Sequence, residues 1–146
     1  GAAKHDTADS IHRPLLLTAL TIASASGGDP LVLIDADLGW WRPLDLFRRF
    51  QKRLLDELSL ESSSFIFALS HTHSASPLME TDSSLPGSEL LGPWMEHVYQ
   101  TTVSAIRRAL ADADEAILDW HIGRCGLAAN RDFIAADLRK LVGLPP

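Results

Sequence analysis

The fold is decided by one stretch of ten residues, 65–74, with the sequence FIFALSHTHS. Its first six residues, 65–70, are aromatic, β-branched or small and carry no charge, which predicts a central strand buried on both faces of a sheet. Two histidines, His71 and His73, follow directly where that strand is expected to end. The stretch therefore predicts a buried strand with polar side chains at its carboxyl end.

Apolar runs and amphipathic segments alternate on both sides of this stretch. Residues 15–24 and 31–34 are apolar and flank a Gly-Gly-Asp-Pro turn, which predicts a hairpin. Helical spacing of apolar residues predicts one amphipathic helix from Leu44 and a second over residues 93–112, and residues 115–122 predict a further strand. This order is typical of an α/β fold, with a mixed sheet and helices packed on it.

Composition limits the classes of partner. The chain has 146 residues, which corresponds to about one domain, and a net charge of −6 with no basic run, so nucleic acid is not expected as a partner. No stretch approaches the ~20 apolar residues of a membrane span, so no transmembrane segment is expected. One cysteine, Cys125, cannot form an internal disulfide and is expected to pack in the interior. Composition leaves the oligomeric state and the compartment open.

The two ends of the chain predict a fragment of a longer protein. It begins at Gly1 without an initiator Met or a signal peptide, and it stops at Pro146, shortly after a segment with some helical spacing, residues 133–142. We therefore expect an incomplete, N-terminal part of a larger catalytic domain. Such a fragment would have a sheet of about four strands with part of its core uncovered.

The two histidines are the leading candidate site. In an extended backbone, His71 and His73 would point to the same side, ~6.5–7 Å apart along the chain. Ligand sites of α/β sheets lie beyond the carboxyl ends of strands, which is where this pair is expected. A catalytic zinc takes three protein ligands and a water, so two histidines cannot complete a site. The competing interpretation is that both are surface or capping histidines without a function.

Other residues are weaker candidates. Asp35 and Asp37 could ligate a metal, although acidic residues at strand ends more often accept hydrogen bonds from loop amides. Trp40 and Trp41 could line an apolar substrate groove or fix the start of the following helix. Arg131 follows Asn130 on an expected loop, where a guanidinium could contact a carboxylate or an oxyanion.

Five motifs along the chain resemble, in order and spacing, the N-terminal catalytic domain of the neutral (alkaline, non-lysosomal) ceramidase family. They cover nearly the whole chain. The motifs are Gly1-Ala2-Ala3-Lys4-His5-Asp6, Ile11-His12-Arg13-Pro14-Leu15 with Ala19-Leu20, Asp37-Leu38-Gly39, His71-Thr72-His73-Ser74 and Asn130-Arg131. His-Thr-His-Ser is the hallmark of the family and is moderately specific alone; the ordered set is more specific.

The resemblance implies a zinc-dependent hydrolase of sphingolipid metabolism that cleaves the N-acyl amide bond of ceramide, a lipid-like substrate. It implies that His71 ligates Zn2+, that His73 is a hydrogen-bonding or acid/base partner beside the metal, and that Arg131 contacts the reacting carbonyl or its oxyanion. A zinc-bound water of lowered pKa would be the attacking group. The remaining zinc ligands would lie beyond this fragment, which alone should be inactive. Family members are often secreted or periplasmic.

Two alternatives stay open. After His-Thr-His-Ser the family usually continues with Gly-Pro, where this chain has Ala75-Ser76-Pro77, and such differences resemble remote bacterial relatives of unassigned substrate. The chain could therefore be a hydrolase of esters or of non-lipid amides. It could also be a non-catalytic module on the same fold, with a lipid or glycan bound near Trp40 and Trp41.

Overall fold

The computed structural model describes residues 10–82, 84 and 86–126. The chain divides into two units, residues 1–114 and 115–146. Three regions named above lie outside the described residues: the Gly1–Asp6 motif, the Asn130-Arg131 pair and the helical segment 133–142.

The described part of the first unit contains a three-stranded mixed sheet, a two-stranded parallel sheet, two α-helices and two 3-10 turns. In chain order these elements are β1 (Leu17–Ile22), β2 (Leu31–Ala36), β3 (Trp41–Arg42), α1 (Leu44–Leu58), a 3-10 turn (Ser62–Ser64), β4 (Phe65–Leu69), β5 (Leu78–Met79), a 3-10 turn (Ser88–Leu90) and α2 (Leu91–Ala111). Strands and helices occur together as expected, so the α/β class holds at this coarse level.

The predicted hairpin is confirmed. Strands β1 and β2 pair antiparallel, with Ala19 opposite Ile34. Gly27 and Gly28 in the connecting turn have φ angles of 90° and 106°, which glycine adopts without a steric penalty. The Gly-Gly-Asp-Pro segment therefore reverses the chain between two apolar strands.

Strand β4 pairs parallel to β2 and lies at the edge of the described sheet, in the order β1-β2-β4. Among the described residues, the prediction that this strand is central and buried on both faces is wrong. Phe65, Phe67 and Leu69 point toward the helices, whereas Ile66, on the other face, is 51% exposed. An uncharged apolar run does not reveal whether a second layer covers it.

Both helices pack on the same face of the sheet. The buried cluster combines alternate strand residues with one stripe from each helix: Val32, Ile34, Ala36, Leu38, Phe50, Leu54, Phe65, Leu78, Val98, Tyr99, Val103 and Ile106. The Thr21 hydroxyl donates a hydrogen bond to the Ala109 carbonyl (3.0 Å), which joins β1 to the end of α2. Neither helix of the described chain is long and apolar enough to cross a membrane.

The other face of the sheet is open among the described residues. Leu20, Leu33 and Ile66 form one row across the three strands, because Leu33 is in register with both of the others. Leu20 is 53% exposed, close to the value for Ile66. An apolar sheet face in contact with water is unusual for a folded domain, because such faces are ordinarily covered by a second layer.

The buried side of α2 combines aliphatic residues with a tyrosine. Buried along it are Val98, Tyr99, Thr102, Val103 and Ile106, whereas Leu110 is exposed. Burial and a hydrogen bond donated by the Tyr99 hydroxyl to the Glu57 carboxylate (2.6 Å) raise the pKa of Tyr99 to about 12. A tyrosine has both an apolar ring and a polar tip, so its ring can pack in the interior while its hydroxyl binds a carboxylate.

Residues 115–126, the described part of the second unit, contain no helix or strand. The predicted strand at 115–122 is therefore wrong, and its large apolar side chains, Ile117, Leu118, Trp120 and Ile122, are exposed. Cys125 is also exposed rather than buried. An apolar run becomes a strand only where a neighbouring strand accepts its backbone hydrogen bonds, and no such pairing involves these residues in the described chain.

We expect Leu54→Ala to destabilise the protein by about 2–5 kcal/mol, since it leaves a cavity under α1 at a fully buried position. Leu44→Ala is the matched control, because the same substitution in the same helix removes an exposed side chain. Urea unfolding measures both. Equal losses of stability would show that α1 does not pack through Leu54.

Candidate functional site

Two loops meet at one edge of the sheet because β2 and β4 are parallel neighbours. The Ser70 N–H donates to the Ala36 carbonyl (3.0 Å), which continues the pairing one residue past β4. Beyond this point Gly39 is buried so close to the other loop that a Cβ atom on it would lie 3.2 Å from the Thr72 carbonyl oxygen. The loop that carries the histidines therefore lies against the loop that follows β2.

A second parallel pair joins the same two loops. Strands β3 and β5 align Trp41 with Leu78 and Arg42 with Met79. The Trp41 ring packs in the core, with centroids 5.2 Å from Phe47, 4.9 Å from Phe50 and 5.9 Å from Phe67. Aromatic pairs at such separations each contribute about 0.5–1.5 kcal/mol beyond the burial of area. Trp41 thus anchors the β2 loop to α1 and β4.

Trp40 points the other way, toward the histidines. Its ring centroid lies 5.3 Å from that of His71 and 5.4 Å from that of His73, with interplanar angles of 41° and 60°. The two imidazoles are stacked on each other, 5.4 Å apart and 20° from parallel. The sequence left two roles open for the tryptophan pair, and each tryptophan fits one of them. Trp41 fixes the start of the helix, and Trp40 borders the candidate site.

The backbone at His71 is left-handed, with a φ angle of 57°. The expected extended geometry of residues 71–73 is therefore wrong, and a turn rather than strand alternation brings the two imidazoles together. A left-handed conformation costs an ordinary L-residue about 1–2 kcal/mol. Strain of this kind persists where the surrounding structure holds it and is concentrated at functional sites.

A small cavity lies beside the histidines. Its volume is about 200 Å3, and its walls come from both loops: Gly39, Trp40, Thr72, His73, Ala75, Ser76 and Pro77. The indole, the proline ring and the alanine methyl give it apolar walls, while His73 and the Thr72 hydroxyl add polar groups. Apolar walls with a few polar groups are typical of small-molecule sites.

The histidine pair supplies only part of a metal site. The two imidazoles, with centroids 5.4 Å apart, supply at most two of the three protein ligands that a catalytic zinc takes. Among the described residues no three His, Cys, Asp or Glu side chains gather as a metal site. These residues alone therefore do not fit a complete zinc centre.

The other candidates lie apart from the histidines or outside the described chain. The Leu16 N–H donates to the Asp37 carboxylate (3.1 Å), and the Asp37 N–H donates to the Leu16 carbonyl (2.9 Å). Asp37 thus binds a loop amide, the more common role for an acidic residue at a strand end. Asp35 is exposed on the open face of β2. Arg131 lies outside the described residues.

A larger depression of about 550 Å3 lies on the outer face of α1 and is not a comparable site. Its walls are the long charged side chains of one helix: Arg49, Lys52, Arg53, Asp56 and Glu57. Several of these are held in exposed ion pairs, as between Lys52 and Asp56 (2.7 Å) and between Arg53 and Glu96 (2.6 Å). A surface of paired charges lacks the converging groups and apolar walls of the cavity at Trp40.

The strain at His71 can be tested with two variants that both remove the imidazole. We expect His71→Gly to be more stable than His71→Ala by about 0.5–1 kcal/mol, because glycine adopts a positive φ angle freely and alanine does not. Urea unfolding of the pair measures the difference. An alanine variant as stable as the glycine variant would contradict a left-handed backbone at this position.

The close approach of the two loops predicts an effect of a single methyl group. Gly39→Ala should destabilise the protein by about 1–3 kcal/mol, because the Thr72 carbonyl must move to admit the new Cβ atom. Gly92→Ala is the control, since it adds the same methyl group in open space within α2 and should stabilise the helix. Unchanged stability of Gly39→Ala in urea would mean that the loops are not in contact.

Comparison of the chain with protein-family models, with curated proteins and with solved structures returned no match. The resemblance to neutral ceramidases therefore depends on the motifs themselves and on where the described ones lie.

Proposed function

We propose that the chain belongs to a zinc-dependent hydrolase of the neutral ceramidase type, which cleaves the N-acyl amide bond of ceramide or a related lipid amide. One observation carries the proposal: the His-Thr-His-Ser segment lies beyond the carboxyl end of β4, in backbone contact with the Asp-Leu-Gly segment that follows β2. Two of the motifs that resemble the family are thus neighbours at the edge of the sheet where α/β proteins bind ligands.

The proposed roles are those that the resemblance to the family implies. His71 is a zinc ligand. His73 lies beside the metal and either donates a hydrogen bond to the reacting group or accepts one from it. When bound, zinc would supply a water of lowered pKa, and the other ligands would come from residues beyond the described part. Arg131 would contact the carbonyl oxygen of the amide.

The cavity offers apolar contacts to part of such a substrate. Trp40, Ala75 and Pro77 form apolar walls on one side, and His73 borders the same space. An acyl chain could lie against those walls while its carbonyl faces the histidines. This arrangement would hold the scissile bond at the mouth of the cavity, where water has access.

Metal analysis and activity of the full-length protein test the proposal. We expect bound zinc, and we expect His71→Ala to lose both the metal and the activity. His73→Ala should keep the metal and lose activity about 10²–10⁴-fold, the usual contribution of a positioned acid or base. His97→Ala is the matched control, because His97 lies on the exposed side of α2 and contacts Trp94 instead. Absence of zinc together with unchanged activity of His71→Ala would refute the proposal.

A second candidate is a non-catalytic lipid- or glycan-binding module. It is favoured by the exposed Trp40 ring at the cavity and by the lack of a third donor beside the histidines in the described chain. A full-length protein without zinc that binds a lipid through Trp40 would support it. Activity on short N-acyl substrates, with none on ceramide, would instead indicate a hydrolase of non-lipid amides or esters.

A further inference from the structure

We propose that Trp40 is a positioning residue, whose indole holds the imidazoles of His71 and His73 stacked on each other. This role rests on the ring geometry of the apo protein. Only its consequence for zinc rests on the proposed function, since a metal ligand works best when its ring is already oriented.

The first argument is that Trp40 contacts both rings at once. The three centroids lie 5.3, 5.4 and 5.4 Å apart, so the rings form a nearly equilateral triangle. These separations lie within the range in which aromatic rings attract one another. Displacement of one imidazole therefore weakens its contacts with both the other imidazole and the indole.

The second argument is that other contacts do not fix the two imidazoles. Both histidines are exposed, and the side-chain hydrogen bond described in this loop runs from the Ser74 N–H to the Thr72 hydroxyl (3.2 Å). No hydrogen bond among the described residues involves an imidazole nitrogen of His71 or His73. Among the described residues, the Trp40 ring is an aromatic contact that both imidazoles share, and it restricts their side-chain rotation.

The third argument is that Trp40 is itself held in place, although its side chain is 46% exposed. On one side the backbone continues into Trp41, which is anchored among three phenylalanine rings. On the other side is Gly39, buried against the Thr72 carbonyl. An exposed ring on a fixed backbone can orient the side chains of a neighbouring loop, which a ring on a mobile loop cannot do.

NMR of the histidine rings in the apo 146-residue chain tests this role. In the wild type we expect nuclear Overhauser contacts from the Trp40 indole to both imidazoles, a measurement that needs no variant. In Trp40→Ala the ring signals of His71 and His73 should lose their aromatic ring-current shifts and become those of freely rotating side chains. Trp40→Phe should retain most of those shifts, because a phenyl ring can take the same contacts.

The chain contains its own control. Trp94 stacks on His97 with centroids 6.0 Å apart, so Trp94→Ala should shift the signals of His97 and leave His71 and His73 unchanged. The proposal is overturned if the wild type shows no indole contacts to the two imidazoles. It is also overturned if Trp40→Ala, with the amide spectrum of the core preserved, leaves the histidine signals in place.

A zinc titration followed through the same signals separates this proposal from the proposed function. If zinc binds, Trp40→Ala should weaken its affinity about tenfold, as loss of a residue that orients a metal ligand does, and Trp40→Phe should restore it. Equal affinity in the wild type and Trp40→Ala would overturn this consequence for zinc. Failure of the full-length wild type to bind zinc would count against the proposed hydrolase function. The role of Trp40 would still be decided by the nuclear Overhauser contacts from its indole to the two imidazoles in the wild type.

Discussion

The parallel pairing of β2 with β4 is the constraint on which the rest of the structure depends. Parallel neighbours end at the same edge of a sheet, so the loops that follow them leave side by side although about 30 residues separate them in the chain. The contact between Gly39 and Thr72, the short β3–β5 pair and the ring contacts of Trp40 all require that arrangement. An antiparallel pair would have placed the two loops at opposite ends of the sheet.

Two adjacent tryptophans connect the stability of the core to the geometry of the site. Trp41 faces inward and packs on phenylalanines from α1 and β4, whereas Trp40 faces outward and packs on the histidines. Successive side chains of an extended backbone point to opposite sides. For this reason two adjacent tryptophans can face the core and the histidines respectively. The packing of Trp41 in the core thereby determines where the exposed Trp40 indole lies beside the histidines.

Some of this could be predicted from the sequence, and the limits have physical causes. Local periodicity located the hairpin and both helices, and the apolar run before His71 located the edge of the sheet where the histidines lie. The contact between Trp40 and the histidines is long-range, and only the parallel order of β2 and β4 could have suggested it. The edge position of β4 was missed because an apolar run does not show what covers it. Arg131, part of the same prediction, lies outside the described residues.

The left-handed backbone at His71 restricts which residues can occur there among related proteins. Valine, isoleucine and threonine are excluded on steric grounds, because a branched Cβ atom fits poorly at a φ angle of 57°. Glycine and asparagine would be the residues of lowest backbone energy. Where no imidazole is required, this position should therefore drift toward glycine or asparagine.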